Sequence, residues 1–186
     1  MNLEKLFKMQ KELDERILDR FPELRNEDLL DKKILALQVE LGELAQNWRG
    51  FKFWSEDQEP RGQAEYLEYR CTCEGGNRWV NKNPLLEEYV DCLHFILSIG
   101  NDLILYKYEY VELVDFTNDI IAQFNAVFRL IGNWKKEQLL MNNRFYFEVV
   151  NEFLCLGKML GFTWEQIETA YLEKNKINHE RQENGY

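Results

Sequence analysis

Two pairs of acidic residues stand at helical spacing inside otherwise apolar segments. Glu40 and Glu43 lie in VELGELAQNW, and Glu88 and Asp91 lie in LLEEYVDCLHF. Residues three positions apart share one face of a helix, so each pair can direct both carboxylates at one cation. Four carboxylates beside apolar seams are costly to desolvate and repel one another, and a divalent cation would compensate for both effects. Oxygen ligands without thiolates suit Mg²⁺, with Mn²⁺ as the alternative.

A single E-x-x-E pair is weak support for a metal site. Any Glu-rich amphipathic helix produces one by chance, and it then belongs to a solvated face. Two pairs on separate segments, each beside Leu or Val, favour a shared site. This interpretation requires the two helices to bring their carboxylates together in space.

Helices must therefore position these residues. Apolar residues at helical spacing predict a first helix over 3–18 and a second from about Asn26 or Asp28 to Trp48, ended by Gly50. A third helix is predicted from Leu85 to about Leu103, because Asn83 can cap it and Pro84 suits its first turn.

The C-terminal half also has a helical pattern. Apolar and aromatic residues run over 108–131 and 144–160, and Gly161 is typical of a helix C-cap. Thr163 and Gln166 have the spacing of a capping box, which predicts a last helix reaching about Gln182. Between the metal-binding helices, residues 55–83 lack any sustained period and predict a loop or small insertion, with a hairpin turn around 74–77.

Composition favours one all-α domain over residues 1–186, a helical bundle with paired metal-binding helices and an irregular insertion between them. The 186 residues include only 3 Pro and 10 Gly. A formal charge of −10 disfavours nucleic-acid binding, and no segment is apolar enough to span a membrane or serve as a signal peptide. We expect a cytoplasmic protein with four reduced cysteines.

Together these motifs resemble the dimeric dUTPases of the all-α NTP pyrophosphatase (MazG-like) superfamily, which carry E-x-x-E followed by E-x-x-D. MQKELDERI resembles the motif in which a Gln contacts the base, although Asp14 stands where Asn is more usual. FKFW, DCLHF and the closing YLEKNKINHERQENGY resemble three further motifs. The resemblance implies these substrate-binding residues: Gln10, Asp14, Lys52, Trp54, His94, Phe95, Lys174, Asn178, Arg181 and Tyr186.

The resemblance also implies an activity. Glu40, Glu43, Glu88 and Asp91 would hold two or more Mg²⁺ ions, and Glu43 would orient or deprotonate the attacking water. Attack at the β-phosphorus of dUTP would give dUMP and pyrophosphate and would make dUDP a substrate. The family implies a homodimer, and the aromatic segment 108–134 offers apolar surface for one.

Other interpretations of these residues stay open at this stage. A related dCTP or broad-specificity pyrophosphatase would share the metal site. Asp91-x-x-His94 faintly suggests a di-iron bundle. That fold needs two such elements, and the other histidine, His179, has no acidic residue three positions before it. His94 and Phe95 could belong to the core, and Lys174, Asn178 and Arg181 to a solvated helix face of a non-enzymatic helical protein.

Overall fold

The computed structural model of the chain describes residues 3–68, 78–103, 118–138 and 143–184. Within these ranges an all-α architecture is observed, as predicted. Its helices are α1 (Leu3–Arg20), α2 (Leu30–Trp48), α3 (Pro84–Asp102), α4 (Ile120–Gln138), α5 (Asn143–Met159) and α6 (Trp164–Asn184). A short 3₁₀ helix, Pro22–Asn26, joins α1 to α2.

Helix α3 is the centre of the bundle. Its apolar residues surround the helix instead of forming one stripe, which is the pattern of a helix buried on several sides. It packs against α1, α2, α5 and α6, and α4 packs against α2 and α5. All six helices contribute to one hydrophobic cluster. Glu88 and Asp91 on α3 are therefore partly buried against neighbouring helices, whereas Glu87 is exposed.

Two glycines allow the close packing around α3. A Cβ atom on Gly157 would come within 2.4 Å of the Tyr89 hydroxyl oxygen, and one on Gly100 within 2.3 Å of the Tyr146 hydroxyl oxygen. Both tyrosines are buried, and Tyr89 stacks on Phe153 with ring centroids 4.4 Å apart. Because both rings are packed in the core, a side chain at either glycine would force them to shift and would disturb this packing.

The predicted helix boundaries largely agree with the structure. The Asn83 side chain accepts a hydrogen bond from the Leu86 N–H, which caps α3. Thr163 and Gln166 exchange reciprocal backbone and side-chain hydrogen bonds at the start of α6, so the capping box is confirmed. Gly161 has a φ of 86°, the left-handed conformation expected of a C-cap.

The end of α2 differs in detail from the prediction. Arg49, not Gly50, takes the left-handed conformation, with a φ of 65°. The Arg49 guanidinium donates to the backbone carbonyl of Asp57, which helps to hold this conformation. A Cβ atom on Gly50 would lie 2.5 Å from the Trp48 ring, so glycine is required there by crowding.

Two strands lie in the segment between α2 and α3. β1 (Ala64–Glu68) pairs antiparallel with β2 (Arg78–Lys82), from Ala64 opposite Lys82 to Glu68 opposite Arg78. The predicted turn at 74–77 lies outside the described residues, and the paired strands on either side are those that a hairpin requires. The Arg61 N–H donates to the Asn47 carbonyl and the Leu85 N–H to that of Arg61, tying the insertion to both helices.

The structure describes only part of the aromatic segment that we expected to supply apolar surface, and within that part Ile121 is exposed. Trp134 is buried and packs edge-on against Phe145 and Tyr146, so it belongs to the core of its own chain. Residues 108–117 lie outside the described part of the chain. Cys92 and Cys155 are buried and neither is in a disulfide, and Cys71 and Cys73 lie outside the described residues. Within the described ranges, no helix combines the length and apolar character needed to cross a bilayer.

Candidate active site

Helices α2 and α3 bring three of the four predicted metal ligands together. Glu40, Glu43 and Glu88 each offer a carboxylate oxygen, and these oxygens all lie within 4.8 Å of one another. The i,i+3 pair on α2 faces α3 because the two helices pack side by side. This spacing suits a hard cation bound by oxygen ligands.

The electrostatics of the cluster show what such a cation would relieve. Burial, with the charges of Glu43, Asp91 and Glu40, raises the pKa of Glu88 to about 7. Burial and its acidic neighbours also raise the pKa of Glu40. Carboxyl groups that are hard to ionise together become favourable ligands once a divalent charge is added, so these residues fit a divalent metal. Asn47 donates to Glu88 Oε1 at 3.3 Å and orients that carboxylate.

The fourth predicted ligand, Asp91, has a protein cation as its partner. Lys174 Nζ on α6 donates to Asp91 Oδ2, and both side chains are about four-fifths buried. Burial raises the pKa of Asp91, and the hydrogen bond and charge of Lys174 oppose that rise. The ion pair therefore joins the acidic cluster to α6, the helix that also carries the predicted substrate-binding residues Asn178 and Arg181.

A cavity of about 700 Å³ opens beside the acidic cluster, between α1, α3 and α6. Its volume is in the range of small-molecule sites. Nine of the residues selected from the sequence line it: Gln10, Asp14, Glu40, Asp91, His94, Phe95, Lys174, Asn178 and Arg181.

Gln10 is held by a buried hydrogen-bond network at one wall of the cavity. Its Oε1 accepts from the Tyr171 hydroxyl at 2.9 Å and lies 2.7 Å from His94 Nδ1. Its Nε2 donates to Asp14 Oδ1 at 2.8 Å. Since Oε1 can only accept, His94 must carry its proton on Nδ1. Burial first, and then the charges of Lys174 and His179, lower the pKa of His94 to about 3, so its ring is neutral.

Two buried polar atoms at this wall are without hydrogen-bond partners among the described residues: Asp14 Oδ2 and His94 Nε2. Burial raises the pKa of Asp14, while the hydrogen bond from Gln10, the charge of Lys33 and the nearby Ser98 hydroxyl lower it in part. Unpaired buried acceptors are costly and are often completed by a ligand or water.

Two of the predicted substrate-binding residues, Lys52 and Trp54, do not line this cavity. Both follow the end of α2, and the Trp54 ring is 66% exposed and packs against Phe51 and Phe53. Tyr186 lies outside the described residues. Their assignment as substrate ligands stays a prediction.

The structure adds residues that the sequence did not single out. Asn47 contacts the acidic cluster, and Tyr171 holds Gln10 from the opposite helix. Asn47 follows Glu43 by four positions and Tyr171 precedes Lys174 by three, so helical spacing placed both beside predicted site residues. Only the packing of separate helices reveals what they contact.

Comparison with known families agrees with this geometry. A family model described as dUTPase matches residues 2–70 and 77–186. The chain belongs to the dUTPase family. This dUTPase is a dUTP diphosphatase, a nucleoside triphosphate pyrophosphohydrolase, and the match spans both acidic pairs and the C-terminal motif. A search of the curated proteins gave no match.

Membership in this family decides between the alternatives drawn from the sequence. It replaces the di-iron, non-enzymatic and dCTP-directed interpretations with a nucleotide hydrolase acting on dUTP. dUTPases generally use a divalent metal, and the clustered carboxylates of α2 and α3 are a candidate site for it. The cavity beside them is the candidate nucleotide site.

Proposed function

We propose that this dUTPase depends on Mg²⁺ held by Glu40, Glu43, Glu88 and Asp91, with Mn²⁺ able to replace it. The observation that carries the proposal is the convergence of three carboxylate oxygens from two helices within 4.8 Å. When bound, the divalent cation supplies Lewis-acid chemistry, neutralising phosphate charge and acidifying nearby water.

Glu43 is the proposed general base. It is exposed, whereas Glu40 and Glu88 are half-buried, so its carboxylate can contact both the cluster and a water molecule from solvent. In this mechanism Glu43 takes the proton of the attacking water as the new oxygen–phosphorus bond forms. With attack at the β-phosphorus, dUMP leaves with the bridging oxygen, and the attacked group departs as pyrophosphate, or as orthophosphate from dUDP, without a covalent enzyme intermediate.

The C-terminal helix is proposed to bind the phosphates. Lys174, Asn178 and Arg181 all line the cavity, which supports their assignment to one phosphate-binding face. When substrate and metal bind, Lys174 would leave Asp91 and contact a phosphate oxygen, and Asp91 would be available to the metal. Each new contact would pair opposite charges. Lysine and arginine there stabilise the negative charge that develops on the leaving group.

Base and sugar binding are assigned to the wall made by α1 and α3. We assign Gln10 and Asp14 to the uracil, and His94 and Phe95 to the deoxyribose, where close packing would exclude a 2′-hydroxyl. The shared cavity supports these four assignments. We also assign Lys52, Trp54 and Tyr186 to contacts with the bound nucleotide.

Attack is proposed at the β-phosphorus, which makes dUDP a second substrate. The reaction in H₂¹⁸O distinguishes the two possible positions: attack at the β-phosphorus puts ¹⁸O into pyrophosphate, and attack at the α-phosphorus puts it into dUMP. With dUDP the product to measure is orthophosphate. Label in dUMP would contradict the assignment.

The decisive experiment is pyrophosphate release from dUTP, dCTP, dTTP and UTP at fixed Mg²⁺. We expect dUTP to be preferred, EDTA to abolish turnover, and Glu43→Gln to lower kcat by roughly 100- to 10,000-fold, as for the loss of a general base. Glu87→Gln is the matched control, because Glu87 is the exposed neighbour of Glu88 on α3. Unchanged turnover in Glu43→Gln would refute the site.

We also propose a cytoplasmic homodimer. Several large apolar side chains are exposed at the surface of the chain: Leu35, Val39, Phe53, Trp54 and Ile121. A second copy covering some of them would remove that area from water.

A further inference from the structure

Lys174 lies between the acidic cluster and the cavity. Its Nζ atom donates to Asp91 Oδ2, and about one-fifth of each side chain is exposed. Lys174, Asp91 and Glu40 all line the cavity, so a ligand bound there can reach the ammonium group. The ion pair therefore lies where a metal held by the carboxylates and a phosphate held in the cavity would meet.

The ammonium group of Lys174 already supplies positive charge to the acidic cluster. Burial raises the pKa values of three carboxyl groups, and in each case the charge of Lys174 opposes that rise: Glu40, Glu88 and Asp91. A divalent cation would act on these carboxyl groups in the same direction. Lys174 therefore does, in part, what the metal would do.

The same ion pair occupies one of the predicted metal ligands. Glu40, Glu43 and Glu88 offer oxygens within 4.8 Å of one another. The fourth predicted ligand, Asp91, instead has Lys174 at its Oδ2 atom. A metal that took this oxygen would have to displace the ammonium group. A metal that left the ion pair intact would bind beside a like charge, in a partly buried site where salt screens the repulsion weakly.

We propose that Lys174 is a tethered counter-ion, which competes with the divalent metal in the nucleotide-free enzyme and releases Asp91 when a polyphosphate binds. This inference rests on the proposed function and adds to it an energetic coupling between the two ligands. Phosphate oxygens give the ammonium group a new partner as it leaves Asp91, so opening the ion pair costs less. Because coupling is reciprocal, nucleotide and metal should each tighten the binding of the other.

A lysine that only binds phosphate would behave differently from a tethered counter-ion. Its removal would weaken nucleotide binding and leave the metal affinity of the nucleotide-free enzyme unchanged. Removal of a competing lysine should instead make the nucleotide-free enzyme bind the metal more tightly, while nucleotide binding still weakens. These opposite effects also distinguish the proposal from damage to the fold, which would weaken the binding of both ligands.

Metal binding without turnover tests the proposal. The probe is Mn²⁺, and the electron paramagnetic resonance signal of the free ion gives its Kd with and without saturating α,β-imido analogue of dUTP. The variants are Lys174→Met, Lys174→Arg, Arg181→Met and Lys176→Met. Arg181 lies on the same helix and acts on Asp91 through its charge, so Arg181→Met removes a nearby cation and leaves the ion pair. Lys176 is an exposed lysine of α6 and provides the matched control.

We expect Lys174→Met to lower the Kd of the nucleotide-free enzyme for Mn²⁺ by about fivefold or more, the size of a typical coupling between two sites. Arg181→Met should lower this Kd less. Lys174→Arg, which keeps the positive charge opposite Asp91, and Lys176→Met should stay near the wild type. The factor by which the analogue tightens Mn²⁺ binding should be smaller in Lys174→Met than in the wild type. Circular dichroism establishes that each variant is folded.

An unchanged or higher Kd for Mn²⁺ in folded Lys174→Met would overturn the proposal. So would equal tightening by Arg181→Met or Lys174→Arg, because the ion pair would then not be its cause. Failure of the proposed function gives a different result. An enzyme that releases no pyrophosphate but binds Mn²⁺ more tightly without Lys174 would lose the reaction and keep the competition. A metal-dependent dUTPase whose Mn²⁺ affinity ignores Lys174 would keep the reaction and lose the competition.

Discussion

The acidic residues illustrate how single side chains can oppose folding in order to bind a ligand. Glu88 is half-buried among other carboxylates, and its pKa is raised to about 7 from 4.5. A structural ion pair would have lowered it. A divalent cation would relieve this repulsion, and the cluster lies beside the cavity that is the candidate nucleotide site.

This raised pKa predicts how the metal-free enzyme responds to pH. A carboxyl group whose pKa is higher in the folded state binds its proton more tightly there, so its stabilising contribution is complete below pH 4.5 and is lost as pH rises through about 7. In EDTA we expect the Tm of the wild type to fall between pH 5 and pH 7.5, and to fall less in Glu88→Gln.

Thermal unfolding followed by circular dichroism measures how steeply Tm falls with pH in the wild type and in Glu88→Gln. Glu87→Gln controls for removal of a carboxylate from the same helix turn. Added Mg²⁺ should raise Tm at pH 7.5 more than at pH 5, because protonated carboxyl groups bind the cation poorly. Equal slopes for the wild type and Glu88→Gln would show that this carboxyl group is not repelled by its neighbours.

For single residues, the sequence was a better guide to which side chains are candidates for the site than to what those side chains contact. Glu40, Glu43 and Glu88 were recognisable because i,i+3 spacing is a local property of helices. The Gln10, His94 and Tyr171 network joins three helices that are far apart in sequence, and no local pattern encodes such a meeting. The resemblance identified Gln10, but its fixed amide orientation follows only from the structure.

Helices are the scale at which sequence reasoning performed best. The boundaries of α3 and α6 depend on capping hydrogen bonds between residues three positions apart, and these can be predicted from Asn83, Thr163 and Gln166. The end of α2 could not be assigned in this way. Arg49 adopts the left-handed conformation where Gly50 seemed the natural candidate, and a contact eight residues downstream, to Asp57, helps to hold it.

Contact between helices predicts opposite effects of the same substitution at two glycines. Gly157→Ala should destabilise the protein by about 1–3 kcal/mol, because its methyl group would overlap the buried Tyr89 ring that stacks between α3 and α5. Gly132→Ala should stabilise it by about 0.5–1 kcal/mol, since Gly132 is exposed on α4 and its Cβ would meet only Gln38 Nε2, at 3.8 Å.

Urea unfolding of the three proteins at one pH measures these differences. The pair separates packing from helix propensity, because both substitutions add one methyl group to a helix. Similar destabilisation of both variants would mean that α4 has a neighbour at Gly132 which the isolated chain lacks. Stabilisation by Gly157→Ala would refute the close contact of α3 with α5.

The whole molecule presents an acidic surface that must still attract a triphosphate. A net charge of −10 repels polyanions at long range, and salt weakens that repulsion. Local attraction is therefore expected to come from the basic side chains that line the cavity, Lys174 and Arg181 among them, and from the proposed divalent cation. The same distribution of charge is expected to disfavour nucleic acids, because a long phosphate backbone would meet the acidic surface beyond the cavity.

Exposed apolar residues lead to a prediction about assembly. Leu35 is 62% exposed and Val39 50%, one turn apart on α2, the helix that also carries Glu40 and Glu43. We expect the protein to sediment at twice the mass of the 22.5-kDa chain, with this face at least partly covered by the partner. The double substitution Leu35→Glu and Val39→Glu should then yield monomers. Burying two neighbouring carboxylates with no cation opposite them is costly.

Analytical ultracentrifugation over a range of concentrations distinguishes the two states. Lys176→Glu adds a carboxylate at an exposed position of α6 and should leave the dimer intact. If the active site lies near the interface, the monomeric variant should also lose dUTP turnover, although its own carboxylate cluster is unchanged. A wild type that sediments as a single chain would instead make the exposed face of α2 an ordinary surface and confine the active site to one subunit.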